Sequence, residues 1–151
     1  MEIKEVDVSP QAALAIRETF PANQLGDKFG EFYRKIEKYM EENNSLPTGP
    51  PFGIYHAFSP ESVELEAGYP SDLAPPENSE IHRMKTYGGK AVMTEFKGHY
   101  DGLKQAWKEF ADTFDNAGYK YTAPCFEVYI TDPSKETNPD NWITELYTPI
   151  N

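Results

Sequence analysis

Two short segments near the C-terminus combine acidic and aromatic residues at the spacing of a β-strand. In FEVYI, strand alternation places Glu127 and Tyr129 on one face, and in WITELY it places Glu145 and Tyr147 together. A carboxylate in an apolar site tends to take up a proton unless a cation or a fixed donor favours its charged form. Such acids can bind a cation or act as a general base on water. The alternative is the solvent face of a half-buried strand.

Other chemistry-bearing patterns are missing from the sequence. His56, His82 and His99 are far apart and do not have metal-ligand spacing, and Cys125 is the single cysteine. There is no Gly-rich phosphate loop, nucleophile elbow or HExxH motif. We therefore predict no metal and no cofactor. His99 precedes a predicted helix, so we expect it to cap that helix; the alternative is that it lines a ligand cleft.

Two segments have the periodicity of amphipathic helices, from Asp27 to Glu42 and from Asp101 to Asn116. In both, large apolar residues recur at i, i+3, i+4, i+7 and i+11, which is one face of a helix. Each segment is followed by a loop with a helix-stopping Asn or Gly and then proline. The apolar positions are Phe29, Phe32, Tyr33, Ile36 and Met40 in the first helix and Leu103, Ala106, Trp107, Phe110 and Phe114 in the second.

A constant offset of 74 residues relates the two apolar stripes, which indicates an internal duplication. The offset continues beyond the helices, and with a five-residue insertion it also makes Glu145 the counterpart of Glu66. We predict two halves, residues 1–70 and 80–151 approximately, each reading strand–helix–strand–strand. The matching pairs beyond the helices are Pro50 and Pro124, Phe52 and Phe126, and Tyr55 and Tyr129.

A further short strand is predicted to lead into each half. Ile3–Val8 precedes the first, and Ile81–Tyr87 precedes Gly88-Gly89, a dipeptide suited to a hairpin turn. The expected fold is one α+β domain over residues 1–151. Its antiparallel sheet carries two long helices on one face, with a ligand cleft at the pseudo-twofold axis between the halves.

The chain is strongly acidic, with a formal net charge of -11 and no Lys/Arg cluster. Specific nucleic-acid binding depends on basic patches, so we expect none. The acidity is explained by solubility, or by attraction of cationic ligands or of a basic protein partner. The sequence has no signal-peptide segment and no apolar run of membrane-spanning length, so we expect a cytoplasmic protein without membrane contact.

Four stretches in fixed order resemble the gyrase-inhibitor-like effector-binding domain, which is also the ligand-sensing part of several multidrug-responsive transcription regulators. The resemblance extends from about Val8 to Ile150. No helix-turn-helix segment accompanies it, so we do not expect a complete transcription factor. The stretches are LPTGPPFGIYHAF, KGHYDGLKQAWKEF, APCFEVYITDP and NWITELYTPI.

The resemblance implies a cleft that takes bulky, flat and often cationic molecules. By position, Glu127 falls on the family's characteristic ligand-binding acid and Trp142 on an aromatic residue that stacks on the ligand. Tyr55, Tyr129 and Glu145 are carried over as further cleft residues.

Three functions follow as hypotheses. The first is a stand-alone protein that binds small aromatic or cationic compounds, for multidrug or xenobiotic sensing or sequestration. The second is a hydrolase that opens strained cyclopropane rings in DNA-alkylating natural products, with Glu127 or Glu145 as general base. The third is an acidic protein-interaction module, such as a modulator of gyrase.

Overall fold

The computed structural model describes all residues, Met1–Asn151, and consists of two compact units. The N-terminal unit is Pro10–Tyr87, and the C-terminal unit combines Met1–Ser9 with Gly88–Asn151. Each unit contains four antiparallel strands and one long helix. The predicted α+β class and its antiparallel strands are therefore confirmed.

Each half contains the predicted strand–helix–strand–strand order. The strands are β1 (Lys4–Val8), β2 (Ala12–Pro21), β3 (Phe52–Phe58), β4 (Ser62–Pro70), β5 (His82–Lys85), β6 (Gly89–Lys97), β7 (Cys125–Tyr129) and β8 (Ile143–Pro149). The helices are α1 (Leu25–Glu42) and α2 (Leu103–Asn116), each preceded by a 3₁₀ turn, Ala22–Gln24 or Tyr100–Gly102. The strand order is β3-β4-β2-β5 in the N-terminal unit and β1-β6-β8-β7 in the C-terminal unit.

In the N-terminal unit, α1 packs its apolar stripe on one face of the sheet. Phe32, Ile36 and Met40 are buried, and they form a core with strand residues such as Leu14 and Leu65. Because side chains alternate along a strand, the residues between these core positions point to the opposite face of the sheet. The predicted stripe is confirmed as core packing.

In the C-terminal unit, α2 packs in the same way. Its buried residues Ala106, Phe110 and Phe114 form a core with Val92 on β6 and Leu146 on β8. We call the side of this sheet that carries Leu146 the α2 face. Neither helix of the protein is long and apolar enough to cross a membrane.

Both helices end where the sequence predicted a stop. Asn44 has a φ of 51° and Gly118 a φ of 87°, the left-handed conformation that ends many helices. Their amides donate to the carbonyl oxygens of Glu41 and Asp115, at 3.1 and 3.0 Å. These bonds satisfy carbonyl groups that the last helical turn leaves without an intrahelical partner.

The two leading strands belong to the opposite halves from those predicted. β1 pairs with β6 in the C-terminal unit, and β5 pairs with β2 in the N-terminal unit. The predicted hairpin at Gly88-Gly89 is therefore wrong, because β5 and β6 belong to different units. A Gly-Gly dipeptide favours a change of chain direction, but it does not select the strand with which the next segment pairs.

Candidate functional site

The candidate site is centred on Glu127, a carboxylate buried on the α2 face of the C-terminal unit. Glu127 is 1% exposed, and the β7–β8 register places it opposite the core residue Leu146. Trp107 Nε1 donates to Glu127 Oε1 at 2.6 Å, and the Tyr129 hydroxyl donates to Glu127 Oε2. Burying a carboxylate costs free energy unless donors are fixed around it, and these two side chains supply such donors.

Trp107 makes a contact with Glu127 that the sequence did not predict. The helical stripe assigned it to the core, and its ring does pack beside Phe110 with centroids 5.6 Å apart. An indole also carries one N–H donor, and buried tryptophans usually direct it to a partner. The indole N–H of Trp107 was therefore the feature of the sequence that could have indicated a polar partner. The helical spacing does not reveal which acceptor lies opposite this donor.

The repeat shows that this acid is a feature of one unit only. Tyr33 is the counterpart of Trp107 in the N-terminal unit, and its hydroxyl donates to the backbone oxygen of Phe52 at 2.8 Å. Gly53 stands at the position that corresponds to Glu127. The duplicated fold therefore holds a buried carboxylate at this position in the C-terminal unit and none in the N-terminal unit.

Four aromatic side chains lie together in the C-terminal unit, and we call them the aromatic group: His99, Tyr100, Tyr129 and Trp142. Tyr100 contacts both Trp142 and Tyr129, with ring centroids 4.8 and 5.7 Å apart. His99 stacks on Trp142 at 5.5 Å. Because Tyr129 also bonds to Glu127, the aromatic group is adjacent to the carboxylate.

Hydrogen bonds fix two members of the aromatic group. His99 Nδ1 accepts from the amide of Asp101 at 3.0 Å, so His99 caps the 3₁₀ turn that leads into α2, whereas α2 itself has Gly102 as its N-cap and no side-chain cap. Trp142 Nε1 donates to the carbonyl oxygen of Glu136 at 2.8 Å. The rings of His99 and Trp142 are therefore held in defined orientations.

The electrostatic field at Tyr100 is negative. Burial raises the pKa of the Tyr100 hydroxyl, and the charges of Asp132 and Glu127 raise it further. A field that opposes the formation of a phenolate favours a positive charge at the same place. The aromatic group and Glu127 together could therefore hold an aromatic cation.

Thr144 belongs to the same face of the sheet and has a buried, unsatisfied hydroxyl. The register places it between Phe96 on β6 and Tyr129 on β7, two residues from Leu146. The side chain is 0% exposed, and its Oγ1 has no hydrogen-bond partner. Sequence reasoning did not identify this residue as part of a site, because a threonine in a strand is common.

Glu145 lies on the opposite face of the sheet from Glu127. The two acids are on neighbouring strands, as the repeat predicted, but Glu145 is opposite Val128 in the register. Glu145 Oε1 accepts from the Tyr147 hydroxyl at 2.7 Å. Burial raises the pKa of Tyr147, and the hydrogen bond to Glu145 raises it further. The structure therefore does not bring Glu145 together with Glu127.

Tyr55 lies in the N-terminal unit, where it packs against the α1 core. Its ring contacts Phe29 at 6.5 Å and Phe58 at 5.9 Å in edge-to-face arrangements. Trp142 and Tyr129 share the C-terminal unit with Glu127, as described above. A role of Tyr55 in ligand binding stays a prediction.

Two histidines that are far apart in the sequence both contact one carboxylate in the N-terminal unit. His56 Nε2 lies 2.8 Å from Glu66 Oε1, and His82 Nε2 lies 2.6 Å from Glu66 Oε2. Glu66 is buried and pairs with Ile54 in the register, on the sheet face opposite α1. Glu66 is the repeat counterpart of Glu145, as predicted. The spacing of the histidines along the sequence did not indicate that either would contact Glu66.

Solved structures with this fold include two of EcmrR. The chain is 19% identical to the EcmrR C-terminal domain, with a TM-score of 0.80, covering 99% of this chain and 97% of that one. EcmrR in a DNA complex is 18% identical with a TM-score of 0.83, covering 99% of this chain. This chain spans 57% of the length of that EcmrR chain.

Two further structures share the fold with lower TM-scores. SAV2435 bound to tetraphenylphosphonium is 16% identical with a TM-score of 0.65, covering 100% of this chain and 94% of that one. A hydrolase from Listeria innocua is 13% identical with a TM-score of 0.65, covering 99% of this chain and 92% of that one. At these identities the likeness concerns the fold.

Sequence comparison identifies the family directly. No curated protein matches the chain in sequence. The family model of the GyrI-like small molecule binding domain matches residues 1–151, which is the whole chain. The predicted resemblance is therefore confirmed, and the chain belongs to the GyrI-like small-molecule-binding domain family.

Proposed function

We propose that the C-terminal unit binds bulky aromatic cations, with Glu127 supplying the negative charge and the aromatic group supplying the stacking surface. The observation that carries the proposal is the buried Glu127 carboxylate, bonded by Trp107 and Tyr129 beside the rings of Tyr100 and Trp142. The function of the family is small-molecule binding, and this proposal specifies the class of ligand and the residues that bind it.

The energetic argument combines two attractions. A cation over the face of an aromatic ring is attracted by the ring quadrupole, and this attraction increases when water is excluded. A buried carboxylate attracts the same cation more strongly than it would in water, because the local dielectric constant is low. Trp142 and Tyr100 are half-buried, so their rings combine contact area with access for a ligand.

A structural neighbour supports this ligand class. SAV2435 was solved with tetraphenylphosphonium, a cation surrounded by four phenyl rings. That protein shares the fold at low identity, so its ligand is a guide to a first probe for this chain.

The test is a binding titration of tetraphenylphosphonium with the wild type and with Glu127→Gln. Glutamine preserves the shape of the side chain and removes its charge. We expect the affinity to fall roughly 10- to 100-fold, the effect of about 1.5–3 kcal/mol for a contact to a charged group. Triphenylphosphine oxide, which is neutral, is the comparison ligand and should lose less than about threefold. Equal losses for both ligands would show that Glu127 does not recognise charge.

The structure of a Listeria innocua hydrolase with the same fold favours a second candidate function. In this alternative Glu127 acts as a general base on water that attacks a strained cyclopropane ring. A C–O bond forms as a ring C–C bond breaks, and the proton passes through Glu127 to the product. Glu127→Gln should then reduce the rate roughly 10²- to 10⁴-fold. Mass spectrometry after incubation with a cyclopropane-containing alkylator separates this function from binding alone.

The sequence makes two predictions about macromolecular partners, one about nucleic acid and one about a basic protein. The EcmrR chain solved in complex with DNA is longer than this chain, which spans 57% of it. The net charge of -11 still predicts no specific duplex binding. An acidic interaction with a basic protein such as gyrase stays a prediction as well.

A further inference from the structure

The Thr144 hydroxyl is costly for the fold as it stands. A buried hydroxyl without a hydrogen-bond partner lowers the free energy of unfolding, whereas an apolar group of the same shape has no such cost. Valine has this shape and is well suited to a strand. Thr144 is 0% exposed and its Oγ1 has no partner. Packing alone therefore does not explain why this position carries a threonine and not a valine.

The position of Thr144 connects it to the proposed binding site. Thr144 is the direct cross-strand neighbour of Tyr129, and Glu127 is two residues from Tyr129 on the same face. Diagonal neighbours across two strands are separated by about 7–8 Å. One aromatic ligand is large enough to contact the carboxylate of Glu127 and the hydroxyl of Thr144 together.

Two members of the aromatic group are near neighbours of Thr144 on its face of the sheet, and Phe96 on β6 is its neighbour on the other side. Tyr129 flanks Thr144 on the adjacent strand, and Trp142 precedes it by two residues on its own chain. Tyr100 contacts both of these rings. A ligand that takes the place of the Tyr100 ring would therefore stack against two near neighbours of Thr144.

We propose that Thr144 is a specificity-determining residue of this site, whose hydroxyl forms a hydrogen bond with the ligand while Glu127 holds its charge. The inference rests on the proposed function and narrows its ligand class. A hydroxyl both donates and accepts, so it pairs with an N–H, a carbonyl or a hydroxyl of the ligand. The preferred ligands are aromatic cations that carry such a group, rather than cations with a wholly hydrocarbon surface.

The experiment compares three probes with the wild type and Thr144→Val. Proflavine is a cationic ring system with exocyclic N–H groups. Acridine orange has those groups methylated and keeps only the ring N–H, so the pair tests a hydrogen bond from Thr144 to an exocyclic N–H. Tetraphenylphosphonium has no hydrogen-bonding group. We expect Thr144→Val to weaken proflavine about 5- to 10-fold, the effect of one neutral hydrogen bond, and the other two probes less than about twofold.

A second readout is the melting temperature of the free protein. Thr144→Val should raise it, because the unsatisfied hydroxyl is replaced by a methyl group. Thr144→Ser retains the hydroxyl and should retain the preference for proflavine, even if the lost methyl group lowers stability. Thr148→Val is the matched control for the loss of a buried threonine hydroxyl. Thr148 is buried on the same face of β8, but its hydroxyl has a partner, since it contacts Cys125 Sγ at 3.7 Å.

The outcomes separate this inference from the function on which it rests. If Glu127→Gln weakens all three cations and Thr144→Val changes none, the binding function stands and the role of Thr144 is refuted. If Thr144→Val weakens all three equally, its effect is one of packing and the role is also refuted. If the wild type binds none of the probes, the proposed function fails and the role of Thr144 fails with it.

Discussion

The indole Nε1 of Trp107 on α2 lies 2.6 Å from Oε1 of Glu127 on β7. This contact joins the helix of the C-terminal unit to a carboxylate that is 1% exposed. A hydrogen bond to a buried charge is strong because little water competes for it. The Trp107–Glu127 pair therefore links the stability of the unit to the geometry of its candidate site.

Trp107→Phe removes the donor and keeps most of the aromatic volume. We expect a loss of about 1–3 kcal/mol in the free energy of unfolding, because a buried carboxylate oxygen loses a hydrogen bond. Urea denaturation measures it. Trp142→Phe is the control, since its indole N–H donates to a backbone oxygen, that of Glu136. A loss no larger for Trp107→Phe than for Trp142→Phe would contradict the argument.

The opposite faces occupied by the two acids of β7 and β8 predict different effects on binding. Glu145→Gln should leave the affinity for tetraphenylphosphonium within about twofold of wild type, whereas Glu127→Gln should weaken it about 10- to 100-fold. The reason is that Glu145 is opposite Val128 and bonds to Tyr147, on the face away from α2. Isothermal titration calorimetry measures both variants. Comparable losses would place both acids at the ligand and contradict the register-based assignment.

The Glu66 cluster predicts a specific dependence of stability on pH. Burial alone would raise the pKa of Glu66, but hydrogen bonds from His82 and His56 outweigh it and lower the pKa below 4.5. A carboxylate with a lowered folded-state pKa stabilises the fold above its unfolded-state value, and this stabilisation is lost as pH falls.

We therefore expect the stability difference between wild type and Glu66→Gln to be fully present above the ordinary pKa of a glutamate. It should shrink as pH falls below about 4.5, the ordinary value for a glutamate. Urea denaturation from pH 3 to 7 provides the measurement. The neighbouring pair of Arg17 and Glu64 supplies a control, since it is exposed and Glu64→Gln should have little effect. A difference that stays constant with pH would rule out the linkage.

Two glycines predict stability changes of opposite sign. A Cβ at Gly68 would lie 1.9 Å from the backbone oxygen of Leu14, which cannot move without breaking the β2–β4 ladder. Gly68→Ala should cost at least about 2–3 kcal/mol. A Cβ at Gly26 in α1 meets nothing within 4 Å, so Gly26→Ala should gain up to about 1 kcal/mol. Thermal unfolding compares the two, and similar changes in both would count against the close approach of β2 to β4.

Local patterns in the sequence were sufficient for much of the fold. The stripes Phe32–Met40 and Ala106–Phe114 identified both helices and their buried faces, because helical period and apolar burial are properties of neighbouring residues. The common offset of 74 residues identified the duplication and the α+β class. Alternation correctly paired Glu127 with Tyr129, and Glu145 with Tyr147.

Strand partners and shared faces depended on the tertiary structure. The assignment of β1 and β5 to opposite halves is a matter of long-range pairing, and no residue within Ile81–Tyr87 specifies it. The placement of Glu145 away from Glu127 follows from the β7–β8 register, in which a shift of one residue exchanges the faces. The bonds from Trp107 to Glu127 and from two histidines to Glu66 join distant residues, so only the folded chain reveals them.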